Sequence, residues 1–252
     1  MILRSELIDY VDHYLACSEF SDYAPNGLQV EGVDSIQRLC TAVTASAEVI
    51  RAAVNGRADA LLVHHGFFWR GENACMIGMK KTRIALLLQH NINLLAYHLP
   101  LDCHVEVGNN VCLAKQLDIE VLSRHQVGDH RDLLWFGKLS KSLTPRVWQT
   151  VVGKVLDRQP QVVEGGNHLI SHVAWCSGGA QDLIEKAAQL GADAYLSGEI
   201  SERTFYQAKE LAIHYFAGGH HATERLGVQA LGEHLASKYD LSHQFIDSAN
   251  PV

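Results

Sequence analysis

The chain has 252 residues, 47% hydrophobic and 19% charged, with a formal net charge of −7. That is the balance of an ordinary globular protein, long enough for one large α/β domain or two lobes sharing an interface. The acidic excess excludes a long nucleic-acid surface, because a phosphate backbone is repelled over most of such a protein. A pocket for a single nucleotide is still allowed, and the basic group Lys80-Lys81-Thr82-Arg83 is too short to form a binding stripe.

The first residues, Met1 to Tyr10, contain acids and no long apolar core, which is not the pattern of a signal peptide. No apolar run approaches the roughly 18 residues of a membrane span. The six cysteines (Cys17, Cys40, Cys75, Cys103, Cys112, Cys176) are scattered without a CxxC pair. They read as reduced packing residues of a cytoplasmic protein.

In chain order, Leu3, Leu7, Val11, Tyr14 and Leu15 mark an amphipathic helix. Pro25-Asn26-Gly27 is a turn, and Leu28 and Val30 begin a strand. Leu39–Thr44 reads as a buried strand, and Ser46 is placed to N-cap a helix that stops at Asn55-Gly56. Ala58–Val63 is the next strand, with His64-His65-Gly66 at its C-terminal end. A helix from about Thr82 to His90 and a strand Asn93–Tyr97, ending at His98, follow. Apolar strands alternating with helices predict a mostly parallel sheet.

The second half repeats this plan. His172–Cys176 is a strand, Ser177-Gly178-Gly179 leads into a helix ended by Gly191, and Ala192–Leu196 is a strand again. Ala212–Phe216 then matches the strand before His98. Aligning the halves sets His98 opposite His220, Asp102 opposite Glu224, and Glu199 opposite His65. An insertion around Phe67–Lys81 accounts for the longer first half. The pattern is read as an internal duplication. Between the halves, Leu133–Gly137 is a strand and Thr144-Pro145 starts a helix through Leu156. Gln161–Val173 is β-like, with Gly165-Gly166 as a hairpin turn. After Glu224 the helix continues through Leu235, and Phe245–Asp247 suggests a last strand. The fold expected is α/β, two duplicated lobes with mostly parallel mixed sheets. The first covers residues 1–125 and the second 126–252, with a metal site between them.

Ligands in open α/β sheets gather beyond the carboxyl ends of the strands. There lie His64, His65, His98, Asp102, His220 and Glu224. Such a set exceeds what one tetrahedral ion needs and suits two ions roughly 3.5–4 Å apart, as in two-metal hydrolases. Adjacent strand residues point to opposite faces, so His64 and His65 cannot easily hold one ion but can reach two if the chain bends at Gly66. Pro100 argues against a regular helix over His98–Asp102. Imidazole and carboxylate without thiolate favour Zn, Mn, Fe, Co or Ni over Ca or Mg.

The expected nucleophile is a metal-bridged hydroxide, with Glu199, if not a ligand, as general base. A helix-capping or surface carboxylate is the alternative for Glu199. His104, His214 and His221 are candidates for supporting roles, His221 foremost. Trp69, Trp135, Trp148 and Trp175 read as core. No GxSxG, GxxxxGK[ST] or GxGxxG pattern is present.

The motifs Asp22-Tyr-Ala-Pro-Asn-Gly-Leu-Gln-Val-Glu-Gly32, His64-His65-Gly66, His98-Leu-Pro-Leu-Asp102 and Gly218-Gly-His-His-Ala-Thr-Glu-Arg225 occur in that order. With them the chain resembles the Nif-three-like family, the type-two GTP cyclohydrolase homologues, and is most similar to its bacterial YbgI branch. The resemblance implies duplicated lobes, two divalent metal ions and a toroidal homohexamer. It makes His64, His65, His98, Asp102, His220 and Glu224 the metal ligands, with Glu224 bridging. His64 and Asp102 would serve one ion, His65 and His220 the other. The short segment Ile119–Ile170 departs from family members that carry a large extra domain there. The activity implied is metal-dependent hydrolysis of a small, nucleotide-like molecule; the alternative is a non-catalytic metal-dependent scaffold that binds partner proteins.

Overall fold

Short apolar runs alternating with amphipathic stretches become strands and helices in the computed structural model, which describes all 252 residues. From the N-terminus come β1 (Ile2–Leu3), α1 (Arg4–Tyr14), β2 (Gly27–Val30), β3 (Ser35–Ile36) and β4 (Arg38–Thr44). Then follow α2 (Ala47–Asn55), β5 (Ala60–His65), α3 (Gly78–Gln89), β6 (Asn93–Ala96) and α4 (Leu99–Cys103). The middle of the chain forms α5 (Asn109–Gln116), β7 (Ile119–Val127), β8 (His130–Leu143), α6 (Pro145–Leu156), β9 (Gln161–Val163) and β10 (Ile170–Trp175). It continues with α7 (Ile184–Gln189), β11 (Ala194–Ser197), α8 (Glu202–Glu210) and β12 (His214–Ala217), and the chain ends with α9 (His220–Tyr239) and β13 (Ser242–Phe245). The product is a mixed α/β fold, and no helix in it is long and apolar enough to cross a membrane.

Two compact units result, one of Met1–Gly108 with Gly227–Ala249, the other of Asn109–Leu226 with Asn250–Val252. The first is built on a five-stranded sheet of order β13-β4-β5-β6-β2. Its β13, β4, β5 and β6 run parallel, and β2 closes the edge antiparallel. Every second residue of a strand faces the same side, and β5 shows it: Ala60 and Leu62 enter one buried cluster, Leu61 and Val63 the other. On the first face lie Leu7 and Val11 of α1 with Val228, Leu231 and Leu235 of α9. On the second lie Val49, Ile50 and Ala53 of α2 with Ile84 and Leu87 of α3. Helices on both faces explain why these strands are continuous apolar runs rather than alternating ones.

The second unit has a six-stranded sheet of order β7-β8-β10-β11-β12-β9. β10, β11 and β12 are parallel, flanked by antiparallel β8 and β9. One face is covered by Val111 and Leu113 of α5 and Trp148 and Val152 of α6, the other by Ile184 and Ala187 of α7 and Ala208 of α8. Trp135, Trp148 and Trp175 are core residues, as read from the sequence. Of the cysteines, Cys40, Cys103 and Cys176 are buried as expected, whereas Cys75 is exposed.

Capping predictions hold: Ser46 Oγ accepts the Val49 N–H at 3.1 Å, and Thr144 caps α6 with Pro145 in its first turn. Four local expectations change. The hairpin at Gly165-Gly166 does not form: β9 pairs with β12 and β10 with β8 and β11, at different places in the sheet. The Gly165 N–H donates instead to His214 Nδ1 at 3.2 Å, so a pair of glycines that looked like a turn marks a crossing. α3 begins at Gly78, earlier than Thr82. His98–Asp102 does include a helix, because Pro100 sits in its first turn, where no backbone N–H is needed. Lastly, the sequence division at 125/126 falls within β7, whose partner β8 belongs to the same unit. The end of α9 joins the first unit because Val228, Leu231 and Leu235 pack there.

Leu231 is completely buried. Leu231→Ala is expected to lower unfolding stability by about 2–5 kcal/mol, the range for deleting a buried leucine side chain. Urea unfolding followed by circular dichroism measures it; a loss below about 0.5 kcal/mol, the scale of ordinary surface changes, would contradict this packing.

Candidate metal centre

The C-terminal end of β5 carries His64 and His65 into the loop region. His64 is fully buried and His65 half-buried. The Tyr97 carbonyl lies 3.0 Å from His64 Nδ1. A carbonyl oxygen can only accept, so Nδ1 carries the hydrogen, and in the neutral ring Nε2 is the lone-pair nitrogen. That Nε2 stands 3.5 Å from Asp102 Oδ2. On the next residue, His65 Nδ1 lies 3.2 Å from the Thr44 hydroxyl.

Although neighbours in sequence, the two rings converge, with centroids 4.6 Å apart and planes tilted by 47°. Strand alternation had predicted opposite faces. Pairing with β6 ends at Val63, so the two histidines lie past the last rung of the ladder on that side. His98 completes a trio whose ligand atoms all lie within 4.8 Å of one another, a group able to hold a metal ion.

His98 is the N-cap of α4, and Asp102 lies within that single turn, buried. The His98 ring is held from behind by a residue the sequence reading left without a role. Asp22 Oδ1 accepts from His98 Nδ1 at 2.8 Å, and Asp22 Oδ2 accepts the Leu99 N–H at 3.0 Å. Asn26 Oδ1 accepts the His98 N–H at 2.8 Å. Burial works to raise the Asp22 pKa, but the His98 imidazole and the donors of Asn26 and Leu99 outweigh it and hold the carboxyl at about 2. Trp69, expected in the core, is only half-buried and stands edge-on to His98, ring centroids 5.2 Å apart.

In the second unit, β12 ends at Ala217 and two glycines lead to His220, the first residue of α9. His220 Nε2 is 3.2 Å from Glu224 Oε1, one helical turn on, as the four-residue spacing predicts. His220 Nδ1 lies 2.7 Å from Glu199 Oε1, in the loop after β11. Burial lowers the pKa of His220, but carboxylates on both ring nitrogens outweigh it and raise it to about 9. Glu224 is almost fully buried, whereas the Glu199 side chain is 39% exposed.

Gly178, with φ +67°, makes room for this group: a Cβ there would stand 2.2 Å from Glu224 Oε1. Its N–H donates to Thr223 Oγ1 at 3.0 Å, and Thr223 in turn donates to the Gly219 carbonyl.

His104 and His214 make their contacts within the scaffold. His214 Nδ1 accepts from Gly165 and its Nε2 lies 3.0 Å from the His168 carbonyl. His104 Nδ1 faces the N–H groups of Glu106 and Val107, and its ring packs on Tyr14. His221 is buried, and its backbone N–H donates to the Val252 carbonyl.

Buried carboxylates and imidazoles are costly unless paired or bound to a metal. The donor set fits a borderline divalent cation, because it offers imidazole nitrogen and carboxylate oxygen without thiolate. A second feature fits too. Nδ1 of His64, His65, His98 and His220 meets a carbonyl, a hydroxyl, a carboxylate and a carboxylate respectively. Metal-binding histidines almost always have the second ring nitrogen engaged in this way.

The family model for Duf34/NIF3 (NGG1p interacting factor 3) matches residues 2–251. Relatives named GTP cyclohydrolase 1 type 2 homolog include one from Pseudomonas aeruginosa, 48% identical over 251 residues, with 100% of this chain and 99% of the relative covered. Another, from Escherichia coli (strain K12), is 43% identical over 250 residues, covering 99% of each. Among solved structures, the protein ybgI, described as of unknown function, superposes with a TM-score of 0.96 at 42% identity over 100% of both chains. A protein from Thermus thermophilus, TTHA1606, gives 0.91 at 34% identity, again over 100% of both. The chain therefore belongs to the Duf34/NIF3 family.

Proposed function

We propose that this protein is a dinuclear metal-dependent hydrolase acting on a small, nucleotide-like molecule, its metal site formed by donors from two duplicated lobes. The observation that carries the reading is the common arrangement of four histidines, each with Nδ1 beside an oxygen of the chain. His64, His65, His98, Asp102, His220 and Glu224 would hold two ions drawn from Zn, Mn, Fe, Co or Ni. In this reading His64 and Asp102 would hold one ion, His65 and His220 the other, and Glu224 would be shared. The duplication is supported by the parallel triplets β4-β5-β6 and β10-β11-β12, each with helices on both faces.

Bound divalent cations supply Lewis acidity, bringing the pKa of a water from roughly 15.7 down to about 7 and neutralising charge that develops on the substrate. The chain does the rest. Thr44, Asp22, Glu199 and the Tyr97 carbonyl fix the rings. Glu199 holds the Nδ1 proton of His220 and, being partly exposed, is the carboxylate placed to take a proton from an attacking water. Trp69 supplies an aromatic wall beside His98 for a planar ring. The relatives' printed name makes GTP the first substrate to try.

Metal-loaded wild type is to be assayed on GTP and a nucleotide panel beside Glu224→Ala and His65→Ala. Turnover is expected to fall by about a hundredfold or more in both, since even outer partners of a metal ligand matter by 10–100-fold. Variants that bind metal and turn over as wild type would contradict the reading.

A second reading, a metal-dependent scaffold, is favoured by the exposed apolar side chains of Met76, Ile77 and Met79, which suit a protein contact. It would gain if no substrate turns over while partner capture depends on metal. The homohexameric ring and a cytoplasmic location belong to the same proposal. Light scattering is expected to give about six times the chain mass, and a monomer would contradict the ring.

A further inference from the structure

We infer that Asp22 is the positioning residue for His98, setting which ring nitrogen faces a metal, and that Asn26 fixes the His98 backbone beside it. The inference rests on the reading that His98 is a metal donor, and it concerns a residue 76 positions away in the chain.

The geometry around Asp22 leaves that carboxylate little else to do. Oδ1 accepts from the Tyr23 N–H at 2.7 Å and His98 Nδ1 at 2.8 Å. Oδ2 accepts from the Leu99 N–H at 3.0 Å and Asn26 Nδ2 at 3.1 Å. An ionised carboxylate has about four lone-pair sites and no hydrogen to give. Four donors therefore saturate it, and His98 must present a hydrogen from Nδ1.

The ring then offers Nε2, and only Nε2, to a cation. Asn26 completes the clamp through the His98 N–H, at 2.8 Å. The Asp22 side chain is 3% exposed, so its bonds are made away from water, where a charge-assisted pair is strongest.

Glu199 makes the instructive contrast. It takes the corresponding place behind His220, but its side chain is 39% exposed. Of the two carboxylates, Glu199 is open to solvent and Asp22 is committed to orientation. Two histidines aligned by the sequence repeat, His98 and His220, thus rest on carboxylates from unrelated positions. A buried anion on an imidazole N–H also makes the other nitrogen a stronger donor.

Asp22 also caps the first turn of α4 through Leu99, so the test must separate positioning from fold. Zn²⁺ affinity is measured by chelator competition for wild type, Asp22→Asn, His98→Ala and the double variant, with circular dichroism to check folding. Ring ¹⁵N shifts of His98 are recorded in the metal-free wild type and Asp22→Asn proteins. The expected result is a 10–100-fold weaker Zn²⁺ affinity for Asp22→Asn, no additional loss when it is combined with His98→Ala, and a His98 ring no longer held in the Nδ1–H form.

Wild-type affinity in Asp22→Asn with a loss in His98→Ala would overturn the inference. So would multiplying losses in the double variant, or an unchanged tautomer. Wild-type affinity in His98→Ala alone would instead remove His98 from the metal reading, and the inference with it. Should Asp22→Asn not fold, Asp22→Glu, which keeps the charge but shifts the carboxylate by one methylene, takes its place in every measurement with the same expected and contrary results.

Discussion

An imidazole serves a cation well only when its second nitrogen has somewhere to put its hydrogen. That constraint runs through this protein. Four histidines face it, and four different pieces of chain answer: the carbonyl after β6, a hydroxyl at the end of β4, a carboxylate in the loop before β2 and another after β11. Parallel strands make this possible, because their carboxyl ends release several loops at one edge of a sheet whose both faces are sealed by helices. The apolar interior of each unit fixes where the strands stop. Where they stop decides which polar residues are held close enough to satisfy the rings.

The same constraint separates the carboxylates by role. Asp102 and Glu224 are buried and lie beside Nε2 of a histidine, at 3.5 and 3.2 Å. Asp22 and Glu199 stand behind Nδ1 and differ in exposure, one saturated by donors and the other open to solvent. Burial and hydrogen-bond load, more than position in sequence, therefore distinguish these carboxylates. Gly178 adds a steric condition, since any side chain there would occupy the place of the Glu224 carboxylate.

Much of this was legible in the sequence. The candidate histidines lie at or just beyond the ends of apolar strands, and His220 with Glu224 has the spacing of one helical turn, so local pattern was enough to pick them out. The strand–helix alternation likewise gave both parallel triplets. What was not legible depended on distant pairing. Gly165-Gly166 carries the composition of a hairpin turn, but β9 finds its partner in β12 rather than in the strand that follows. Pro100 looks like a helix breaker until it is known to fall in a first turn, where its missing N–H costs nothing. The convergence of His64 and His65 needed the knowledge that pairing with β6 stops at Val63. Asp22 lies in a recognisable motif, yet its partner is 76 residues away and no spacing rule connects them. Trp69 was misplaced for a similar reason: an indole in an apolar run reads as core, and only its neighbours show that it borders the histidines.

The central claim is that imidazole nitrogen and carboxylate oxygen, with no cysteine sulfur, surround the bound ions. X-ray absorption spectroscopy of the zinc-reconstituted protein tests it directly. The account predicts a shell of nitrogen and oxygen at about 2.0–2.2 Å, with the outer-shell scattering of several imidazole rings. A sulfur shell at about 2.3 Å, or a simple hydrated ion without imidazole scattering, would contradict it.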